Sequence, residues 1–265
     1  MGFNSGDSSD GMMSFGGHLE VLRRMLFRVL GISLAIGIVV FFFKETTFRL
    51  LLAPSHPDFV TYRTIEHILG FFGSDFHFEP FQVNLISTEL SSQFMAHITT
   101  SFMLGVLFSS PYILFELFRF VAPALYSNER RHAVKISITV YVLFILGVLM
   151  TYYVLFPISF RFLGTYNVSE QVVSNITIDS YISTFTSLTL VMGLVFQLPI
   201  IAFLLGRMGL ISSSTLSKYR KHSFIIIMLV AAIITPPDIM TLILVTIPLY
   251  LLFEISIRVV KFTEK

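Results

Sequence analysis

Six apolar runs, each closed off by ionisable residues, set the pattern of this chain. No charged residue lies between Arg28 and Lys44, Lys135 and Arg161, Asp179 and Arg207, His222 and Asp238, or Asp238 and Glu254. Between Glu89 and Glu116 only His97 can carry a charge near neutrality. A helix needs roughly 20 apolar residues to cross about 30 Å of hydrocarbon. The second, third and fourth runs meet that length, and the first meets it if Arg28 snorkels to the surface. The fifth and sixth are short and separated only by "TPPD". The pattern therefore predicts an all-α membrane protein with six transmembrane helices.

The breaks between runs have their own chemistry. Residues 1–17, "MGFNSGDSSDGMMSFGG", are rich in Gly and Ser and are expected to form a disordered tail. Residues 18–260 form the six-span domain, and 261–265 a short second tail. The loop after the first run is long, and its "GFFGSDFHFEPF" is expected to form a small interfacial cap. Pro236 and Pro237 stop the fifth helix, and Asp238 can cap the sixth. From Phe224 to Thr235 the fifth run has only 12 residues, about 18 Å of helix. That reads either as a tight helical hairpin or as a place where the bilayer must thin. Pro248 is expected to kink the last helix.

Composition strengthens the membrane reading. Hydrophobic residues make up 54% of the chain and charged residues 13%, against about a quarter charged in soluble domains. The absence of cysteine excludes disulfides and thiolate metal sites. A net charge of +2 gives no reason to expect nucleic acid as a partner. The placement of the basic residues is more informative. With the N-terminus inside, Arg23, Arg24, Arg28, Arg119, Arg130, Arg131, Lys135, Arg207, Lys218, Arg220, Lys221, Arg258, Lys261 and Lys265 are cytoplasmic. That is 14 of the 18 basic residues, leaving Lys44, Arg49, Arg63 and Arg161 outside. The positive-inside rule then puts both termini in the cytoplasm.

Few polar groups interrupt the runs, which argues against a proton relay or pump. His97 reads best as a satisfied interhelical hydrogen bond. Gln197, in "GLVFQLPI", needs partners in lipid and serves either as packing glue or as a contact for a partner helix. In "FVAPALYSNERRH", Ser127 or Asn128 can cap the next helix and Glu129 falls in its first turn, where the macrodipole favours a carboxylate. The other reading of Glu129 is recognition, because a carboxylate matches the planar fork of a guanidinium. No nucleophile–base pair, phosphate loop or metal cluster is apparent, so no enzyme activity and no cofactor are expected.

Taken in order, "HLEVLRR", "LLAP", "FRFVAPALYSNERR", "YYVLFP" at the end of the third run, "GLVFQLP", "ITPPD" and "PLYLLFEI" resemble the TatC family. TatC is the multi-spanning receptor subunit of the twin-arginine protein translocase. The resemblance covers about residues 18–260 and implies a curved bundle with a concave face in the bacterial inner membrane. It implies recognition of twin-arginine signal peptides, assembly with single-span partners of the TatA/TatB kind, export of folded proteins and a possible homo-oligomer. By that likeness Glu129, Glu20, Phe120, Arg23 and Pro123 bind the signal peptide, and Gln197 and Pro199 meet a partner helix. Pro54, Pro236, Pro237, Asp238 and Glu254 hold structural positions. Two departures stand out. The family pattern resembles H-L-x-E-L-R-x-R, yet Val21 stands where that glutamate falls, with Glu20 beside it, and Met25 replaces the later basic residue. One residue turns a helical side chain by about 100°. Gln197 stands where the family commonly has glutamate. The alternatives from other classes are a small-solute secondary transporter, which needs a midplane substrate site, and a structural scaffold without peptide specificity.

Overall fold

A computed structural model describes residues 15–71, 73, 81, 83–121, 133–167, 169 and 175–264, with the side chains of 15–18, 118–121 and 133–136 outside the description. The first crossing is α1 (Phe15–Phe42). On the far side lie α2 (Lys44–Leu52), a 3-10 turn at Ala53–Ser55, α3 (Val60–Phe71) and the short strand β1 (Leu85–Ile86). The second crossing is α4 (Ser92–Val121). The third consists of α5 (Ala133–Met150), a π-helical turn at Thr151–Leu155 and α6 (Phe156–Thr165). Strand β2 (Ile176–Thr177) leads into the fourth crossing, α7 (Ile178–Val195) and α8 (Leu198–Arg207). After α9 (Ser213–Lys218) come α10 (Arg220–Ile234) and α11 (Ile239–Thr263). Helix α1 thus begins inside the segment expected to be a tail, and α11 runs past residue 260. Hydropathy marks where lipid begins, whereas helical hydrogen bonding continues into water.

Among the described residues, Leu19–Phe42, Ser92–Leu117, Ser137–Thr165, Ile178–Arg207 and Ile239–Thr263 are long and apolar enough to span a bilayer. The remaining crossing, α10, has 15 residues, about 22 Å of helix. It starts four residues before Phe224, because its first turn is the charged "RKHS" held outside the apolar run. The fifth helix is therefore longer than its apolar run, yet still short of the hydrocarbon thickness.

Prolines shape the crossings. Pro157 has no N–H to give the carbonyl of Tyr153, four residues earlier. The helix widens to a π turn there instead of ending, and the Thr61 hydroxyl of α3 donates to that carbonyl. "YYVLFP" therefore does not end the third helix, which continues to Thr165. Pro199, buried in the first turn of α8, cannot bond back to α7, and the chain breaks at Phe196–Gln197. Helix α11 continues through Pro248. Pro236 and Pro237 separate α10 from α11, and Asp238 caps α11 by accepting from the Thr241 N–H at 2.7 Å. That is the hairpin the sequence suggests.

Small residues let the crossings approach closely, as helices in lipid require. Helix α1 packs along α4, with Ser33 and Gly37 facing Ser101, Gly105 and Ser109. A Cβ at Gly105 would lie 2.5 Å from the Ser33 carbonyl oxygen and 2.8 Å from Gly37 Cα, so only glycine fits. The Ser33 and Ser109 hydroxyls bond at 2.7 Å inside this contact. At the α5–α7 contact a Cβ on Gly147 would sit 2.6 Å from the Met192 carbonyl oxygen.

The far side is tied down by tyrosines. Tyr62, almost fully buried, donates to the carbonyls of Pro54 and Pro157 at 3.1 and 2.9 Å. Tyr152 and Tyr181 donate to Leu50 and Leu51. Arg161 lies 4.5 Å from the Phe81 ring centroid and 5.3 Å from that of Tyr62. Burial raises the Tyr62 phenol pKa well above the ordinary tyrosine range despite that cation. Strands β1 and β2 pair in parallel, Leu85 with Ile176. Pro54 is buried in its 3-10 turn, as a structural role requires. Of the expected aromatic cap, Phe81 is buried and Phe71 exposed, while 72 and 74–80 lie outside the described residues.

Candidate functional site

The candidate residues divide between the face that carries both chain ends and the middle of the bundle. On the terminal face, Glu20 sits in the second turn of α1. Its Oε1 accepts from Arg23 Nη2 and Arg24 Nε, both at 3.0 Å. Both arginines are about two-thirds exposed, so these contacts are worth only a few tenths of a kcal/mol each. An incoming cation can replace them at little cost. Val21 is exposed and brings no polar atom to this face. Glu129 and Pro123 lie outside the described residues, as does the Phe120 side chain. Helix α4 is described as far as Val121.

One group was missed by sequence reasoning, which took Glu116 only as the end of an apolar run. Its carboxylate, on α4, is 8% exposed. The Tyr112 hydroxyl donates to Oε1 at 3.0 Å, and Arg28 Nη1 of α1 stands 3.8 Å from the same oxygen. The signal in the sequence was a lone carboxylate inside "LFELF", one helical turn after a tyrosine. The α1–α4 pairing that brings Arg28 to it is not written there.

Gln197 is buried at the α7–α8 break. Its Nε2 donates to the Val140 carbonyl of α5 at 3.2 Å and to the Gly193 carbonyl at 3.3 Å. Its Oε1 is buried without a hydrogen bond among the described residues. The amide thus acts as internal glue through its nitrogen and leaves an acceptor open. His97 makes the interhelical bond expected of it, Nε2 to the Phe41 carbonyl at 3.0 Å, and stacks on the Phe41 ring. Glu254 holds Arg220 with both oxygens, at 2.8 and 3.0 Å, and binds α10 to α11. Glu264 accepts from the N–H and hydroxyl of Ser213, which lowers its carboxyl pKa and fastens the end of α11 to α9.

Toward the far side, a cavity of about 440 Å³ opens between the end of α1, α2, α4, α5 and α7. Val40, Leu104, Leu107, Val148 and Phe185 line it, with Thr189 and Tyr152 adding hydroxyls. It suits an apolar chain. Among the described residues no three His, Asp or Glu side chains converge as a metal centre needs.

Fold and site define a multi-pass helical membrane protein whose distinctive polar groups are carboxylates and arginines at the terminal face and one amide in mid-bundle. Comparison with known proteins gives that class a family. The model of the Sec-independent protein translocase protein TatC matches residues 17–248. The chain is 34% identical over 257 residues to the TatC protein of Blattabacterium, covering 96% of this chain and 97% of that one. It is 36% identical over 173 residues to Escherichia coli TatC, covering 65% of this chain and 67% of that one. A crystal structure of the twin arginine translocase receptor TatC superposes with a TM-score of 0.73 at 30% identity, over 94% of this chain and 100% of that one. The chain belongs to the TatC family of Sec-independent protein translocase proteins.

Proposed function

We propose that this chain is the receptor subunit that recognises twin-arginine signal peptides and nucleates assembly with single-span membrane partners, so that folded proteins are exported. The observation that carries this reading is the likeness to the crystallised twin arginine translocase receptor over 94% of the chain. Both termini are cytoplasmic and the membrane is the bacterial inner membrane, an orientation supported by the 14 basic residues on one side against four on the other. Glu129 and Glu20, with Arg23, Phe120 and Pro123 around them, receive the paired arginines. Signal peptides follow their basic end with an apolar stretch of roughly 7–15 residues, and the far-side cavity offers such a stretch an apolar bed. Gln197 and Pro199 form the contact for a partner's helix, with Oε1 as the open acceptor. Pro54, Pro236, Pro237, Asp238 and Glu254 keep the loops and the α10–α11 hairpin in place. The role is binding and assembly rather than catalysis.

The test is crosslinking in membranes between the full chain and peptides carrying Arg-Arg or Lys-Lys. An Arg–carboxylate contact that is partly desolvated contributes about 1.5–3 kcal/mol, so Glu129→Gln is expected to weaken Arg-Arg peptide binding roughly ten- to a hundredfold. The Lys-Lys peptide is expected to bind the unaltered chain poorly. Equal binding of both peptides, or unchanged crosslinking by a well-expressed Glu129→Gln variant, counts against the reading.

A further inference from the structure

We infer that Glu116 is a further carboxylate of the arginine-binding site and that Arg28 is its resident stand-in, a guanidinium that an incoming arginine displaces. The inference rests on the signal-peptide reading above and adds a residue to it. Three observations carry it.

The first is the state of the carboxylate. Glu116 is over nine-tenths buried, yet an ionised carboxylate offers about four lone-pair sites. Here it is met by one tyrosine hydroxyl and a guanidinium at 3.8 Å, well beyond the 2.7–2.9 Å of a charge-assisted hydrogen bond. Its Oε2 has no hydrogen bond among the described residues. A buried carboxylate with this few partners keeps acceptor capacity in reserve.

The second is the nature of the cover. Arg28 is 55% exposed, so little anchors its guanidinium, and one long contact to Glu116 is what closes the site. A second guanidinium approaching from the terminal face has the same planar fork and can bond bidentately where Arg28 does not. Ligand and stand-in therefore share one chemistry.

The third is position. The pattern that resembles the family's wants a glutamate at 21, and Val21 supplies none. The neighbouring Glu20 is met by Arg23 and Arg24 of its own helix only through weak, exposed contacts that an incoming cation can replace. Glu116 lies on α4 beside Arg28 of α1. Glu20 is two helical turns from Arg28, about 12 Å along α1.

The experiment uses the full chain in membranes and peptides with Arg-Arg or Lys-Lys, with thermal unfolding measured for each variant. Glu116→Gln is expected to weaken Arg-Arg peptide crosslinking about tenfold while leaving the weak Lys-Lys signal unchanged. Arg28→Gln removes the competitor and is expected to strengthen Arg-Arg crosslinking about threefold or more. A plain α1–α4 clamp predicts the opposite sign for Arg28→Gln, because either partner's loss would loosen the same contact. Loss of binding in Arg28→Gln, or wild-type binding in a folded Glu116→Gln, overturns the inference. Should Glu116→Gln fail to fold, the sign of the Arg28→Gln effect alone decides. Failure of Glu129→Gln to change binding points instead to the signal-peptide reading itself.

Discussion

A single side chain in the middle of the bundle shows how far one residue constrains function here. Gln197 spends its amide nitrogen on Val140 and Gly193 and leaves Oε1 buried and unbonded among the described residues. Interhelical hydrogen bonds in lipid contribute about 0.6 to 2 kcal/mol, and a partner helix that brings a donor to Oε1 gains on that scale. Gln197→Leu is therefore expected to lower the content of single-span partner in purified complexes several-fold, with Arg-Arg peptide crosslinking retained. It also removes the two internal bonds, so thermal unfolding should fall by a few degrees. Full partner content with lowered thermal stability would leave Gln197 as internal glue alone. The sequence marked this position because an amide in an apolar run needs partners. It left two uses open, since which backbone carbonyls lie within reach depends on how α5 packs.

At the scale of the element, α10 is the unusual one. Its 15 residues make about 22 Å of helix against about 30 Å of hydrocarbon. Arg220 is fixed to Glu254 at one end and Thr235 is buried at the other, so the helix cannot slide to share the mismatch. Thinning of the bilayer beside it is one response to such a mismatch, and snorkelling of the basic residues in its first turn is another. Four apolar residues inserted after Ile227 add about 6 Å and turn the rest of the helix by only about 40°, which nearly preserves the face bearing Ile227 and Ala231. Transport in vesicles is expected to drop while the protein stays folded; full transport by that variant would show that the short helix has no part in it. The existence and order of the crossings were legible because an apolar run bounded by charges reads directly as a helix in lipid, while the helices extend beyond their runs. The continuation of the third crossing past Pro157 was not, since proline normally ends a helix and only the Thr61 hydroxyl and the π turn compensate it.

For the whole molecule the question is orientation. Six crossings put both ends on one side, and the basic residues gather there. Tags at Ser5, Ser127, Ser213 and Thr263 should be cytoplasmic, and tags at Ser74 and Asn167 external, when labelled with a membrane-impermeant reagent. External labelling at Ser127 would overturn the orientation and remove the proposed peptide site from the side where cargo waits. The α1–α4 contact has a whole-molecule consequence as well. The close approach at Gly105 sets the height of α1 against α4, and that height places Arg28 beside Glu116.

The sequence alone determined the crossings, the place of the α10–α11 hairpin and the family. Each rests on local quantities: the free energy of an apolar run in lipid, a proline's missing donor, a short motif. It also marked Glu129 and Gln197 as residues out of keeping with their surroundings, and Glu20 through the family likeness. Only the tertiary structure decided which of the described groups are already engaged. Glu20 is held by its own helix, the Gln197 nitrogen by α5, and Glu116 loosely by α1. Packing also built the far-side frame, in which Tyr181 reaches Leu51 across 130 positions. Hydropathy sums over neighbours in the chain, whereas these contacts depend on the rotation and height of one helix against another. Those are fixed by small residues such as Gly105 and Gly147, whose meaning appears only once the facing backbone is in place.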